Sequence, residues 1–544
     1  MIVRNFFRSF ISLWLFICPL FAFCQDLPTT KTFTPSDTVR TVEILPGVRK
    51  LEYRKIDSVT EIQILAGNVR LKQGNSIFEC DSCVITKRLN LFEAFGNVHI
   101  NDSDTAHVYA NHLRYLTDRR IAYLDGKVKL TDGKGTLTTP TLEYDVNTKV
   151  GIYRNGGRVV NGETILTSEE GFYYADLKDV YFKKKVRLKD PTYELESDSL
   201  LYNTGSETVR FIAETLVKDS TGRTIRTRDG YYNKKTGKAE FGQNPIITDK
   251  DIQATAIKII SDDSTGITRF LGKGIIIDTA ANRTVIADTI LYNKKNESFL
   301  AYAKPLMIIE QEEDSVFITA DTLFSAKLSD LYGKADSVIQ KDTLQGINII
   351  DTKTKDSTDR YFEAFRNVRI FSDSLQAVCD SMFYSFKDSV FRLYDDPVVW
   401  SNENQITGDT ILLFTKNKKA DKMQVFKNSF IASLVKPEIY NQVRSTRLDA
   451  YFVDGNIDSV RARGAAECIY YIQDEDSAFT GINQSTSELM DVYFKEKELH
   501  RIVFRNQVKG TIWPIKDKSP SEMRLPDFNW RDAERPKTRY EMFE

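Results

Sequence analysis

Apolar and polar residues alternate in short runs along nearly the whole chain, and the runs recur. "SDSLLYNTGSETVRFIAETLVK" from Ser197, "ADTILYNKKNESFLAYAKPLMI" from Ala287 and "CDSMFYSFKDSVFRLYDDPVVW" from Cys379 align without a gap. In the last two, Asp288 matches Asp380, Tyr292 matches Tyr384, Tyr302 matches Tyr394 and Pro305 matches Pro397. Each copy reads as a β-branched and aromatic strand, a polar turn and a second strand. A Gly, Asn, Lys or Pro followed by a branched apolar residue marks each unit. Examples are "GNVRL" at Gly67, "GNVHI" at Gly96, "GKVKL" at Gly126, "KKVRL" at Lys184, "KPLMI" at Pro305 and "RNVRI" at Asn367. Most neighbouring landmarks lie 27 to 31 residues apart, and the 62 residues from Pro305 to Asn367 read as two periods. A fixed period over most of a chain predicts a repeat architecture, here all-β and antiparallel, with two strands of about ten residues per unit.

The alternation also predicts which face is inside. Phe299 and Ala301, Phe391 and Leu393, and Val209 and Phe211 are uniformly apolar and should point inward. The residues between them, such as Arg210, Arg392 and Tyr302, tolerate charge and should point out. Past the landmark the apolar parity flips, to Leu306 and Ile308, to Val398 and Trp400, and from Ile121 and Tyr123 to Val128 and Leu130. A one-residue slip exchanges the faces of a strand, so a bulge or kink at Gly, or a break in pairing at Pro, is expected there. Strands bent in this way and stacked antiparallel would fold two sheets over one long apolar interior. If the V stays open, that interior is a trough lined by Tyr123, Val128, Leu130, Val209, Phe211, Phe299, Leu306, Phe391, Leu393 and Val398. If it closes, the same residues are an ordinary core.

Composition narrows the class. The chain has 544 residues with 75 Lys+Arg against 76 Asp+Glu. No broad basic stripe recommends nucleic acid as a partner. Arg4 and Arg8 precede "FISLWLFICPLFAF", and Ala22 and Cys24 stand at −3 and −1 of a cut before Gln25. This predicts a signal peptide over 1–24 and export. Acylation of Cys24 is disfavoured by bulky Phe23. Past the signal remain Cys80, Cys83, Cys379 and Cys468. "CDSC" falls within a predicted strand, where i and i+3 should face opposite ways. It is read as small strand residues, with a disulfide open in an oxidising compartment.

The "GNV" and "AD…LxY" units resemble the OstA/LptA family, the organic-solvent-tolerance-like domain, and in particular its long Bacteroidetes OstA-like type. The resemblance is carried most specifically by Phe362–Ile411, by "GINQSTSELMDVYFKEKELHRIVF" (Gly481–Phe504) and by "RLPDFNWRDAERP" (Arg524–Pro536). It implies an elongated, twisted, open β-jellyroll in the periplasm, associated with the outer membrane, that shields the acyl chains of lipopolysaccharide. It further implies edge-to-edge contact with other jellyrolls of the transport bridge and outer-membrane translocon, or with further copies of this chain. The expected organisation is a repeat array over 42–324, a polar insertion or degraded rung over 325–360, a second array over 361–512, and a Pro-rich tail over 513–544 that docks or is disordered.

Catalytic chemistry is not indicated. No GxSxG, HExxH, P-loop or dinucleotide fingerprint occurs. His99, His107 and His112 lie close in sequence, with His500 apart from them, but the odd spacing of His107 and His112 should point them to opposite faces. Asp198, Asp288, Asp321, Asp380 and Asp409 recur about once per period at strand starts, unlike a calcium loop. No cofactor or metal is expected. Two other classes stay open: a structural or adhesive solenoid with a filled core, and a carbohydrate-active β-helix enzyme, which short hairpin turns such as "NTGSE" disfavour.

Overall fold

The structure is a computed structural model. It describes residues 41–310, 314–332, 359–416, 419–474, 478–495 and 498–543. The signal peptide and Cys24 lie outside the described residues, as do residues 333–358 of the expected insertion.

Among the described residues the chain is an antiparallel ladder in which each strand pairs with the next. A single short helix, Leu328–Tyr332, interrupts it, besides short 3₁₀ turns. Every long strand bends in the middle, and the halves pair only with corresponding halves of their neighbours. Two sheets result, joined along the bend. The right arm holds Val69–Gln73, Val98–Asp102 and Val128–Thr131; the left holds Ile62–Ala66, Leu91–Phe95 and Ile121–Asp125. Their inner faces meet in one continuous core from Leu65 to Val492.

The bend sits at the expected landmark. Pairing shifts between Ala66 and Val69, Phe95 and Val98, Asp125 and Val128, Lys183 and Val186, Leu271 and Gly274, and Phe365 and Val368. Both skipped residues are left-handed: Gly67 and Asn68 at φ 80° and 50°, Gly96 and Asn97 at 72° and 43°, Lys184 and Lys185 at 61° and 51°. Glycine adopts this region freely and Asn more readily than most residues, which explains the Gly-Asn landmark.

The inward parity differs from the sequence expectation. Across the landmark it is kept: Leu65 precedes Val69, Ala122 and Leu124 precede Val128 and Leu130, and Phe182 precedes Val186. The flip lies instead in the intervening strands, from Phe78 and Cys80 to Cys83, from Val108 and Ala110 to Leu113, and from Cys379 to Met382. Two left-handed residues on one strand span the bend against one on its neighbour, so the neighbour changes face. Cys80 and Cys83 therefore both point inward, as buried free thiols.

Among the described residues the gap from Pro305 to Asn367 holds one period of the ladder, not two. A single strand pair, Val316–Thr319 and Thr322–Ala326, separates the two landmark strands and pairs directly with Tyr361–Phe371. Ser325 and Ala326, expected within the insertion, belong to that strand. The tail folds back over the outer face of the right arm. Met523 and Leu525 join Phe430, Ala432, Ile469 and Ile482. Arg531 pairs with Asp396 at 2.7 Å, Arg535 donates to the Asn402 carbonyl at 3.0 Å, and Met542 packs on Leu306, Phe317 and Phe371.

Candidate functional site

The candidate site is the space between the arms. Val128, Leu130, Val209, Phe211, Phe391 and Leu393 all point into it and are buried, and Phe299 packs against the same core. Three expected lining residues do not. Tyr123 is 39% exposed on the outer face, because Ala122 and Leu124 take the inward positions. Leu306 is buried on the outer face beneath Met542. Val398 shares the outward side with Gln405, whose side chain accepts from the Arg531 amide at 2.7 Å and donates to the Asn529 carbonyl at 2.7 Å. The inward partners at these two rungs are Met307 and Val399. Sequence reasoning placed the parity flip on the wrong strand, and all three errors follow from that.

Side chains fill the interior over most of the described ladder, while the inward Val217, Ile247 and Ile276 of the middle rungs stay partly exposed. Side chains from opposite arms touch. Phe78 on the right arm lies 4.6 Å from Tyr115 and 5.3 Å from Phe92 on the left, centroid to centroid. Tyr193 and Tyr232 meet edge to face at 5.4 Å. A Cβ on Gly151 would come within 3.0 Å of Leu130 Cδ1. A cavity lined by Ile431, Val443, Val460, Val492 and Phe494 holds about 10 Å³, the scale of one water.

The mouth, where the free tips of the arms approach, is tied by side chains that sequence reasoning missed. Tyr115 Oη donates to Gln73 Oε1 at 2.6 Å and Tyr144 Oη to Asp102 Oδ2 at 2.9 Å. Asn161 Nδ2 donates to Tyr202 Oη at 3.0 Å, and Thr204 Oγ1 to Asp132 Oδ2 at 2.9 Å. Lys234 Nζ reaches Asp190 Oδ2 at 2.6 Å, and Lys149 Nζ reaches Thr105 Oγ1 at 2.8 Å. Farther along, Arg283 stacks over Phe386 at 4.6 Å and Asn402 donates to Asn456 at 3.2 Å. Most of these bonds join residues 41 to 44 apart in sequence. The signal was in the chain: Tyr115, Tyr144, Tyr173 and Tyr202 recur at 29-residue steps. Gly135 belongs to the same closure, since a Cβ there would meet Thr204 Cγ2 at 2.7 Å and Tyr173 Oη at 2.9 Å.

The electrostatics suit a closed seam. Burial pushes the Tyr115 and Tyr144 hydroxyls above the usual range, so they stay protonated donors. Burial would raise the Asp190 carboxyl, but bonds from Lys234, Thr164 and Thr192 outweigh it and hold it at about 2. Three of the buried thiols are likewise held protonated. A bond from Cys80, with burial, raises Cys83, and burial raises Cys379 and Cys468 to about 12.

The histidines form no metal cluster among the described residues. His107 and His112 both point outward, on different arms, because their strand changes face between them. His99 Nδ1 contacts Glu79 at 3.0 Å and its Nε2 contacts His107 Nδ1 at 3.1 Å; His112 contacts Asp125 at 2.8 Å. Among the described residues, no helix is long and apolar enough to cross a membrane.

A search of curated proteins finds no match to the chain. A family model does match, over residues 44–198, which excludes Phe362–Ile411, Gly481–Phe504 and Arg524–Pro536. That model is described as OstA-like protein, and it is over these N-terminal rungs, tyrosine-tied ones included, that the chain is similar to the OstA-like family.

Proposed function

We propose that the protein is an exported, non-catalytic component of lipopolysaccharide-type lipid transport and outer-membrane assembly. In this reading it works in the periplasm beside other OstA-type jellyrolls. The family match at 44–198 carries the reading. The continuous inward apolar face supports it, because each CH₂ transferred there gains roughly 0.8 kcal/mol. The filled interior adds a condition. Acyl chains enter only where the arms part, so the tyrosine and lysine ties at the mouth are the barrier to loading. Edge strands at the two ends, Lys50–Lys55 and Lys509–Pro514, leave backbone groups for β-addition by partner jellyrolls.

The test is photo-crosslinking in cells from probes at Phe211 and Leu393 inside, and at Arg210 and Arg392 outside. Lipid adducts from the inner pair support the reading. Adducts from the outer pair alone would refute interior carriage. The filled core favours a second reading, a rod that spans the periplasm and carries no lipid. It predicts no adducts from either pair, with end-to-end assembly intact.

A further inference from the structure

At its C-terminal end the molecule has two unlike outer faces. The right arm is covered by the tail, whereas no other described segment covers the left arm from Lys422 to Arg505. Its outward residues form three cross-strand rows over five strands, about 20 Å wide. Six are cationic: Lys422, Arg447, Arg461, Arg463, Arg501 and Arg505. The carboxylates in these rows are Asp449 and Asp491, which leaves a surplus of four positive charges on a chain of net charge −1. Asp458 and Glu488 lie at the turn and the bend that border the face.

The cations are held in place from beneath. Asp449, with a side chain 3% exposed, binds Arg447 at 2.9 Å and Arg463 at 3.1 Å. Asp491, 5% exposed, binds Arg461 at 2.6 Å and Arg505 at 3.2 Å. The four arginines stay 39–53% exposed. Arg461, Arg463 and Arg505 make these contacts through Nε, which leaves their terminal nitrogens for an outside anion. Lys422 and Arg501 pair with no carboxylate among the described residues and lie over the Tyr451 and Tyr493 rings at 5.6 and 4.5 Å. On the outer face of the right arm, by contrast, Arg187 pairs with Glu196 and Lys189 with Glu194 at exposed positions.

We propose that this face docks on the phosphate groups of an anionic phospholipid surface. Fixed guanidinium groups suit phosphate oxygens, and tyrosines between them suit a headgroup layer. The cations spread across five strands, which fits an extended surface better than one small anion. The inference is independent of the interior and of lipid carriage.

The test uses the purified protein with vesicles of phosphatidylcholine alone or mixed equally with phosphatidylglycerol. Sedimentation with the mixed vesicles only, weakened at least tenfold at about 0.5 M salt, is expected. K422Q/R501Q/R505Q should weaken it about a hundredfold, by the usual contribution of three basic residues. R187Q/K189Q should leave it unchanged. K422Q/R501Q leaves both buried carboxylates paired, so it keeps the test valid if the triple variant fails to fold, with about a tenfold or larger loss expected. Equal binding to phosphatidylcholine, or variants that bind like the parent, would overturn the proposal. So would displacement by millimolar inorganic phosphate, which would point to a soluble phosphate ligand.

Discussion

At the residue scale, the bonds across the mouth decide whether the interior is accessible. Asp102 accepts from Ser76 at 2.9 Å as well as from Tyr144, and its carboxylate is buried. Tyr144→Phe removes one donor and leaves a buried charge under-satisfied, so a loss of about 1–3 kcal/mol is expected in denaturant unfolding. Asp190 gives a pH signature. Its folded pKa of about 2 lies below an unfolded value near 3.9, so its contribution is fully present above about pH 4. It is lost as pH falls through 4 to 2, at a magnitude on the order of 2 kcal/mol. Lys234→Met should lower stability at neutral pH and flatten the dependence between pH 4 and 2. A variant as acid-sensitive as the parent would remove Lys234 as the cause.

At the element scale, the repeat, the antiparallel pairing and the position of each bend were legible in the chain. Alternation reports burial directly, and Gly-Asn reports left-handed backbone. The strand that changes face was not legible. That depends on how two left-handed residues register against one neighbour, and a single strand does not encode it. Tyr123, Leu306 and Val398 were misplaced for this reason, and so was the inward side shared by Cys80 and Cys83. The ties at the mouth were half legible, as tyrosines at a fixed period whose partners sit one and a half periods earlier. The tail was read as docking or disorder, because Phe528 and Trp530 cannot say which surface they cover; it is its own molecule's right arm. The bend makes a sharp prediction. A Cβ at Gly96 would lie 2.3 Å from Asp81 Oδ2, at φ 72°. Gly96→Val should cost at least about 2 kcal/mol. Asn97→Gly, at φ 43°, should stay within a few tenths of the parent in the same unfolding experiment.

At the scale of the whole molecule, a ladder in which each rung contacts mainly its neighbours can open locally. Parting the arms at a few rungs breaks their ties and exposes their apolar faces, while distant rungs stay shut. If acyl chains enter through the mouth, weakening ties should therefore act only nearby. Tyr115→Phe combined with Tyr144→Phe loosens the rungs from Gln73 to Asp145, where Phe78, Phe92 and Tyr115 fill the space between the arms. The double variant should gain lipid crosslinking from a probe at Leu130, several-fold over the parent. A probe at Leu393, far along the ladder, should not change. Hydrogen exchange should rise at the strand tips near residues 73, 102 and 115 and stay low at the paired residues beside the bends, such as Val98 and Val128. A rod with a permanently filled core would show the faster exchange without any gain in adducts. Equal gains at Leu130 and Leu393 would instead mean that the arms open as one rigid unit, and the local mouth would be the wrong description of the barrier.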